Sequence, residues 1–388
     1  MAKKPHSVPG ARNWGGNPRG RRQLAGSKAS GSVILNRPAK SKTQIPAKTQ
    51  SSPHTMTYDI EAGWALNLLC NYDCEYCFSR ASTEHRLVGR MSPEQYLEFF
   101  DSTGKTWLLH LTGGEPFLHP EFVRLCRTLT SRHYISVNSN LSSGRVHDFA
   151  ADVDASRVQY VHCGVHTAER DRRKGWQRLL ANVTLLLEGG FPVFASLVMT
   201  PAAFAAFPRV AGSFTSLGVP LIPKALRGSY EGRWYPQAYT EAERTQFRRF
   251  WEQADAIARA SKWQPDHSTV NPLLDRDYLD GFPDFAGIPC SAGRMSVSIG
   301  PDGKIFRCGR KMLLGNILQR RLDLVAEDRP CDNESCPYWC MRYSGFEKEA
   351  SANYPRRGPR SRFRQTLVTI RGMHREIGNR LSHIFRAH

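Results

Sequence analysis

From about residue 58 the chain alternates short apolar runs with longer stretches of helical periodicity, the pattern of parallel βα units. Six such runs predict strands at residues 64–69, 107–111, 135–138, 158–165, 193–199 and 219–222. Between them, Ser92-Pro93-Glu94 reads as a helix start with a capping serine and a proline in the first turn, and a helix over 176–187 stops at Gly189-Gly190. The expectation is an α/β layer with a parallel sheet. After residue 225 the repeat ends in a polar, aromatic-rich stretch, Gly232-Arg-Trp-Tyr-Pro236, followed by a helix near 240–260. Farther on, Pro301-Asp302-Gly303 is a turn signal that predicts a hairpin between 295–299 and 304–307. Phe363, Leu367, Ile370, Met373, Ile377, Leu381 and Ile384 recur at steps of three and four among arginines. They predict a basic amphipathic helix that packs on the core or meets a membrane surface or partner.

In parallel sheets and barrels, ligands gather where strands end and helices begin. The unusual residues stand at those places: Cys70-Asn-Tyr-Asp-Cys74-Glu-Tyr-Cys77, then Thr112-Gly113-Gly114-Glu115-Pro116, Asn138-Ser139-Asn140, Gly164-Val165-His166 and Thr200-Pro201.

Length and charge narrow the function classes. The 388 residues, 40% of them hydrophobic, suffice for one large domain and a smaller one. No run approaches the roughly 20 apolar residues of a membrane span. Val33-Ile34-Leu35 is the only apolar cluster near the start, so a secretory signal is not expected and a cytoplasmic location is. The net charge of +19 is concentrated at the two ends. Residues 1–55 hold 11 Lys and Arg with no acid, residues 346–388 hold 10 against 3 acids, and the body between carries only +1. The first segment reads as a disordered basic tail; nucleic acid is a possible partner for the tails, not for the body.

Ten cysteines fall mostly into two groups, Cys70/Cys74/Cys77 and Cys290/Cys308/Cys331/Cys336/Cys340, which leaves Cys126 and Cys163 as buried apolar residues. Clustering in a chain without a secretory signal favours metal over disulfides. Three thiolates on one tight loop leave one iron of a four-iron cluster without a protein ligand, and an open metal position suits catalysis. Spacing alone also admits a zinc knuckle that recruits His85.

The Cys70-x3-Cys74-x2-Cys77 loop with Tyr76 and Phe78, together with Gly113-Gly114-Glu115-Pro116, resembles the radical SAM enzymes over residues 58–225. The resemblance implies a partial (β/α)6 barrel and a [4Fe-4S] cluster whose bare iron binds S-adenosylmethionine. It implies reductive cleavage to a 5′-deoxyadenosyl radical that abstracts hydrogen from a substrate, with an electron supplied by a low-potential donor such as flavodoxin or ferredoxin. Gly113, Gly114 and Glu115 then fall near the cofactor's amino group, and Ser139 and Asn140 near its ribose and carboxylate. Ser139 and Asn140 read equally well as a turn capping the next helix, and His166 is either a mouth-facing ligand contact or a structural histidine. No catalytic acid or base is named, because radical abstraction needs none.

Cys290-Ser-Ala-Gly and the step from Gly303 to Cys308 resemble the SPASM or Twitch extension, with Cys331-x4-Cys336-x3-Cys340 supplying further thiolates. Five cysteines are enough for one auxiliary [4Fe-4S] cluster; a four-cysteine zinc site is the competing reading. The expected organisation is a tail over 1–55, a radical SAM core over 56–225, a connector over 226–285, a small cysteine-rich auxiliary domain over 286–345 and a basic helical tail over 346–388. The expected substrate is a peptide or small molecule in a maturation or oxidation reaction. RNA modification and a zinc-stabilised nucleic-acid-binding protein are the alternatives.

Overall fold

The computed structural model describes residues 56–77, 91–260, 279, 287, 289–308 and 311–331. The tails 1–55 and 346–388, Phe78, His85, Cys336 and Cys340 lie outside the described residues.

Six strands, β1 (Ile60–Ala65), β2 (Trp107–Thr112), β3 (Tyr134–Ser139), β4 (Val158–Gly164), β5 (Val193–Val198) and β6 (Leu221–Lys224), lie side by side in sequence order, all parallel. The crossovers between them are α1 (Pro93–Ser102), α2 (Phe122–Leu129), α3 (Val146–Asp152), the pair α4 (Thr167–Arg173) and α5 (Trp176–Glu188), and α6 (Pro201–Thr215). This is the mixed α/β, partial-barrel architecture expected. Helix α1 begins as read: Ser92 Oγ accepts from Gln95 N and the Gln95 side chain accepts from Ser92 N, a capping box with Pro93 in the first turn.

Strand side chains alternate between two faces. One face, Ile60, Ala62 and Trp64 on β1, Leu109 and Leu111 on β2, Ile135 and Val137 on β3, packs under the helices in a single apolar core. Phe117, Phe122, Phe149 and Phe191 form a chain of ring contacts there, each buried phenyl contributing about 1.5–3 kcal/mol. Cys126 and Cys163 are fully buried in that core, as expected. The other face is different: Glu61, His110, Ser136, Tyr160, His162, Phe194, Ser196 and Ile222 occupy it, and most are polar yet buried.

Past β6, β7 (Gly228–Tyr230) and β8 (Arg233–Tyr235) form a small hairpin, and α7 (Glu241–Ala260) is the helix expected near 240–260. Ala254 of α7 joins Tyr160, Phe194 and Ile222 in a small cluster on the inner face. A short strand β9 (Pro289–Cys290) pairs with β14 (Arg329–Pro330). Strand β10 (Ser296–Ile299) lies parallel to β1, and β11 (Lys304–Cys308), β12 (Lys311–Asn316) and β13 (Arg321–Leu322) continue antiparallel from it. The hairpin at Pro301-Asp302-Gly303 therefore stands where the turn signal put it, with Gly303 at φ 75° and its N–H donating to Gly300 O at 3.0 Å.

Two strands are displaced from their expected positions: β6 stands at Leu221–Lys224 instead of 219–222, and β1 is shifted further. The sequence predicts the first strand at 64–69, whereas β1 ends at Ala65. The last ladder bond runs from Leu66 N to Thr112 O at 2.9 Å, after which Asn67 O and Leu69 O accept from Gly114 N and Glu115 N at 2.9 and 2.6 Å. The chain leaves the sheet there to run beneath the end of β2. The true strand opens with Ile60-Glu61-Ala62-Gly63, whose buried carboxylate hid it from a hydrophobicity reading.

Candidate functional site

The ends of β1 to β4 converge around the loop Leu66–Cys77. Two glycines make the approach possible. A Cβ on Gly114 would overlap the Leu69 carbonyl, and one on Gly113, at φ 149°, would overlap the Asn67 carbonyl. The expectation was that this glycine pair lets backbone approach a ligand. What it approaches first is the chain's own cysteine loop.

Glu115 completes the brace. Its buried carboxylate accepts from Ser139 Oγ (2.7 Å), Asn140 N (2.7 Å) and Phe117 N (3.1 Å), which ties the end of β2 to the end of β3. Burial pushes its carboxyl up, against the pull of those donors. Asn140 passes the connection on, its Nδ2 donating to Asn71 Oδ1 at 2.9 Å, while Asn71 Nδ2 donates to Ser142 Oγ at 2.8 Å. Asn67 Nδ2 donates to Glu115 O at 3.2 Å, and its buried Oδ1 has no hydrogen-bond partner among the described residues.

Helix α4 holds the loop from the β4 side. Glu169 accepts from the Asp73 backbone N–H and pairs with Arg172 and Arg173 at 2.7 and 3.0 Å. Burial raises its carboxyl, but the two arginines and the Asp73 amide outweigh that and hold it below the usual range. Arg170 is wholly buried, donates from Nε to Val165 O at 3.1 Å and from Nη2 to Asn140 O, and lies 5.1 Å from the Tyr72 ring centroid.

On this support sit the three thiols, none of them in a disulfide, with Cys70 and Cys77 exposed and Cys74 partly so. Cys77 N donates to Cys74 O at 3.0 Å, closing the loop into a turn, and Tyr72 N donates to Cys70 Sγ at 3.4 Å. Partial burial pushes the Cys74 thiol up to about 12 and raises Cys70 too, and a bound cation would favour their thiolates. Three soft sulfur donors on one loop fit a cluster that gives each thiolate its own iron. His166, only partly exposed and left-handed at φ 52°, places Nδ1 2.9 Å from Tyr76 OH and 3.5 Å from Cys74 Sγ. Burial, aided by Arg170, lowers its pKa to about 4, so it is a neutral neighbour of the loop.

The second cysteine group is partly described. Cys290 is buried on β9, Cys308 ends β11, and Cys331 follows β14. Arg307 draws these segments together, donating to Ala292 O (3.0 Å), Arg329 O (2.9 Å) and Pro330 O (3.3 Å).

Residues 67–202 match the Radical SAM superfamily. The matched stretch runs from the start of the cysteine loop to the first residues of α6. Over 117 residues the chain is 27% identical to mycofactocin maturase MftC of Mycobacterium ulcerans (strain Agy99), covering 29% of this chain and 31% of that protein. Among solved structures, anSMEcpe with bound AdoMet is 16% identical at a TM-score of 0.47, covering 67% of this chain and 78% of that one. SuiB of Streptococcus suis bound to S-adenosylmethionine is 12% identical at 0.47, covering 68% and 64%. The superfamily that residues 67–202 match implies S-adenosylmethionine and a [4Fe-4S] cluster, and the donor set of the Cys70 loop fits that cluster.

The sequence reading does not reach the inner face of the partial barrel. His110 Nε2 lies 3.2 Å from Glu61 Oε2, and Glu61 Oε1 accepts from Tyr58 OH at 2.6 Å. With Nε2 donating to the carboxylate, Nδ1 accepts from Ser136 Oγ (2.6 Å) and Tyr160 OH (3.3 Å). His162 Nε2 meets Ser196 Oγ at 2.7 Å. The available signal was polar residues at every second place inside apolar strands, as in Leu108-Leu-His110-Leu-Thr112 and Tyr160-Val-His162. Asn67, Asn71, Tyr72, Glu169 and Arg170 carry no motif; their roles depend on partners 30 to 101 residues away.

Proposed function

We propose that this protein holds a [4Fe-4S] cluster on Cys70, Cys74 and Cys77 and uses S-adenosylmethionine to modify a peptide or small polar molecule by hydrogen abstraction. The observation that carries it is the loop: three thiols on a backbone clamped from both sides, by Gly113-Gly114-Glu115 and by Glu169-Arg170. When bound, the cluster and cofactor supply a 5′-deoxyadenosyl radical.

The chain's own residues supply position and shelter. Both Glu115 oxygens are engaged internally, so its role is to set the β2 and β3 ends, leaving cofactor contact from this segment to backbone atoms and to Ser139, Asn140 and the mouth near His166. The polar inner face, Glu61-His110-Ser136-Tyr160 and His162-Ser196, is the wall against which a polar substrate is oriented. Cys290, Cys308 and Cys331, with Cys336 and Cys340, are the proposed ligands of an auxiliary [4Fe-4S] cluster. A substrate of the maturation type accords with the name of the MftC relative.

The test is anaerobic reconstitution followed by dithionite reduction with S-adenosylmethionine. The parent is expected to hold iron and sulfide and to release 5′-deoxyadenosine, and the Cys70→Ala/Cys74→Ala/Cys77→Ala variant to release none. Zinc in place of iron, or undiminished release from the triple variant, refutes the assignment.

A further inference from the structure

Helix α4 and the start of α5 carry a cationic face beside the cysteine loop. Between Thr167 and Arg178 stand four exposed cations, Arg172, Arg173, Lys174 and Arg178, besides the buried Arg170, and two acids, against +1 for the whole of residues 56–345. Both acids are occupied: Glu169 is buried against Arg172 and Arg173, and Asp171 accepts from Trp176 Nε1 at 2.6 Å. Asp73 offsets Arg172. Lys174 and Arg178 remain exposed, with no ion pair among the described residues, and Arg209 of α6 joins them with its guanidinium 5.6 Å from the Trp176 ring. The face is one side chain from the loop, for Arg173 lies 5.4 Å from the Tyr72 ring and Tyr72 N donates to Cys70 Sγ.

We propose that Lys174, Arg178 and Arg209 form the docking face for an acidic one-electron-donor protein that reduces the Cys70 cluster, which rests on the function proposed above. Electron transfer falls steeply with distance, so a donor must dock where the cluster loop meets the surface, and the charge there sets its sign. One electron leaves the donor and enters the cluster; no bond is made or broken. Charge on the rim of a contact acts chiefly on encounter rate and salt dependence. A nucleic-acid reading of the same face is disfavoured by its aromatics: Trp176 is covered by Arg209 and Tyr72 is buried, so neither offers a free ring for base stacking.

The experiment uses the full chain and an acidic flavodoxin. Binding of the oxidised flavodoxin is followed by flavin anisotropy, and cluster reduction by the hydroquinone form by absorbance, for parent, Lys174→Glu/Arg178→Glu, and Arg132→Glu/Arg157→Glu. The last pair precedes β3 and β4, at the opposite end of the strands, and makes the same change in net charge. The expected result is a loss of about tenfold or more in affinity and rate for the first pair at low ionic strength, vanishing at high salt. The second pair should match the parent, and dithionite-driven cleavage of S-adenosylmethionine should be the same in all three. Equal losses in both doubles, or none, overturn the proposal. So does a loss with dithionite, which assigns the residues to the site itself, or lost retention of an RNA oligonucleotide with flavodoxin unaffected. A parent that cleaves nothing with dithionite refutes the underlying function, a result separate from any pattern among the variants.

Discussion

Replacing Gly114 with Ala adds one methyl where the structure has no room for it. The added carbon would overlap the Leu69 carbonyl and press on the Leu68 backbone, neither of which can swing aside as a flexible side chain would. Relief requires the β2 end and the cysteine loop to separate, at the expense of Gly114 N to Asn67 O and Glu115 N to Leu69 O. Overpacking of this kind costs about 1–3 kcal/mol. The two backbone bonds are worth about 0.5–1.5 kcal/mol each, for a total of roughly 2–6 kcal/mol. Because the strain lands on the segment leading to Cys70, iron retention should fall with stability. Urea unfolding of the apoprotein measures the first, and iron per chain after anaerobic reconstitution the second. Gly144→Ala is the control, since nothing lies within 4 Å of its added carbon; it should change stability by less than about 0.5 kcal/mol. If Gly114→Ala matches that control in both measurements, the tight clamp on the loop is wrong.

Glu169→Gln keeps an acceptor for the Asp73 amide but loses the charge facing Arg172 and Arg173, which are largely solvent-exposed; about 1 kcal/mol and a measurable loss of bound iron are expected. Unchanged iron content would remove α4 from the support of the loop. Cys126→Ala should leave iron and sulfide at the parent level, since that thiol sits in the apolar core, and a drop would reveal a ligand missed by this assignment. Burial, with Lys224 and His166 nearby, lowers the His162 pKa well below its ordinary 6.5. The unfolded chain therefore binds the extra proton as pH falls through 6.5, so His162's contribution is fully present above that value and is lost progressively below it. Urea unfolding between pH 5 and 8 should show a steeper fall towards acid for the parent than for His162→Gln, and identical slopes would contradict a buried neutral imidazole.

Much of this was readable from one chain. Alternating apolar runs and helical stretches give six parallel strands because each run must bury against its own crossover helix, and Ser92-Pro93 and Gly189-Gly190 punctuate helices through purely local bonds. The Cys70 loop was legible for the same reason: the chemistry of three thiols at that spacing is local, as is the turn at Pro301-Asp302-Gly303. What tertiary structure alone decided is which groups meet. Gly113 and Gly114 are glycines because another segment's backbone passes beneath them, a fact stored at Asn67 and Leu69. Glu115 points into the protein because Ser139 and Asn140 come to meet it. Glu61 is tolerated in a buried strand only because His110, 49 residues on, completes its hydrogen bonding. A sequence specifies periodicity and local donors; burial of charge is settled by partners that only the folded chain brings within reach.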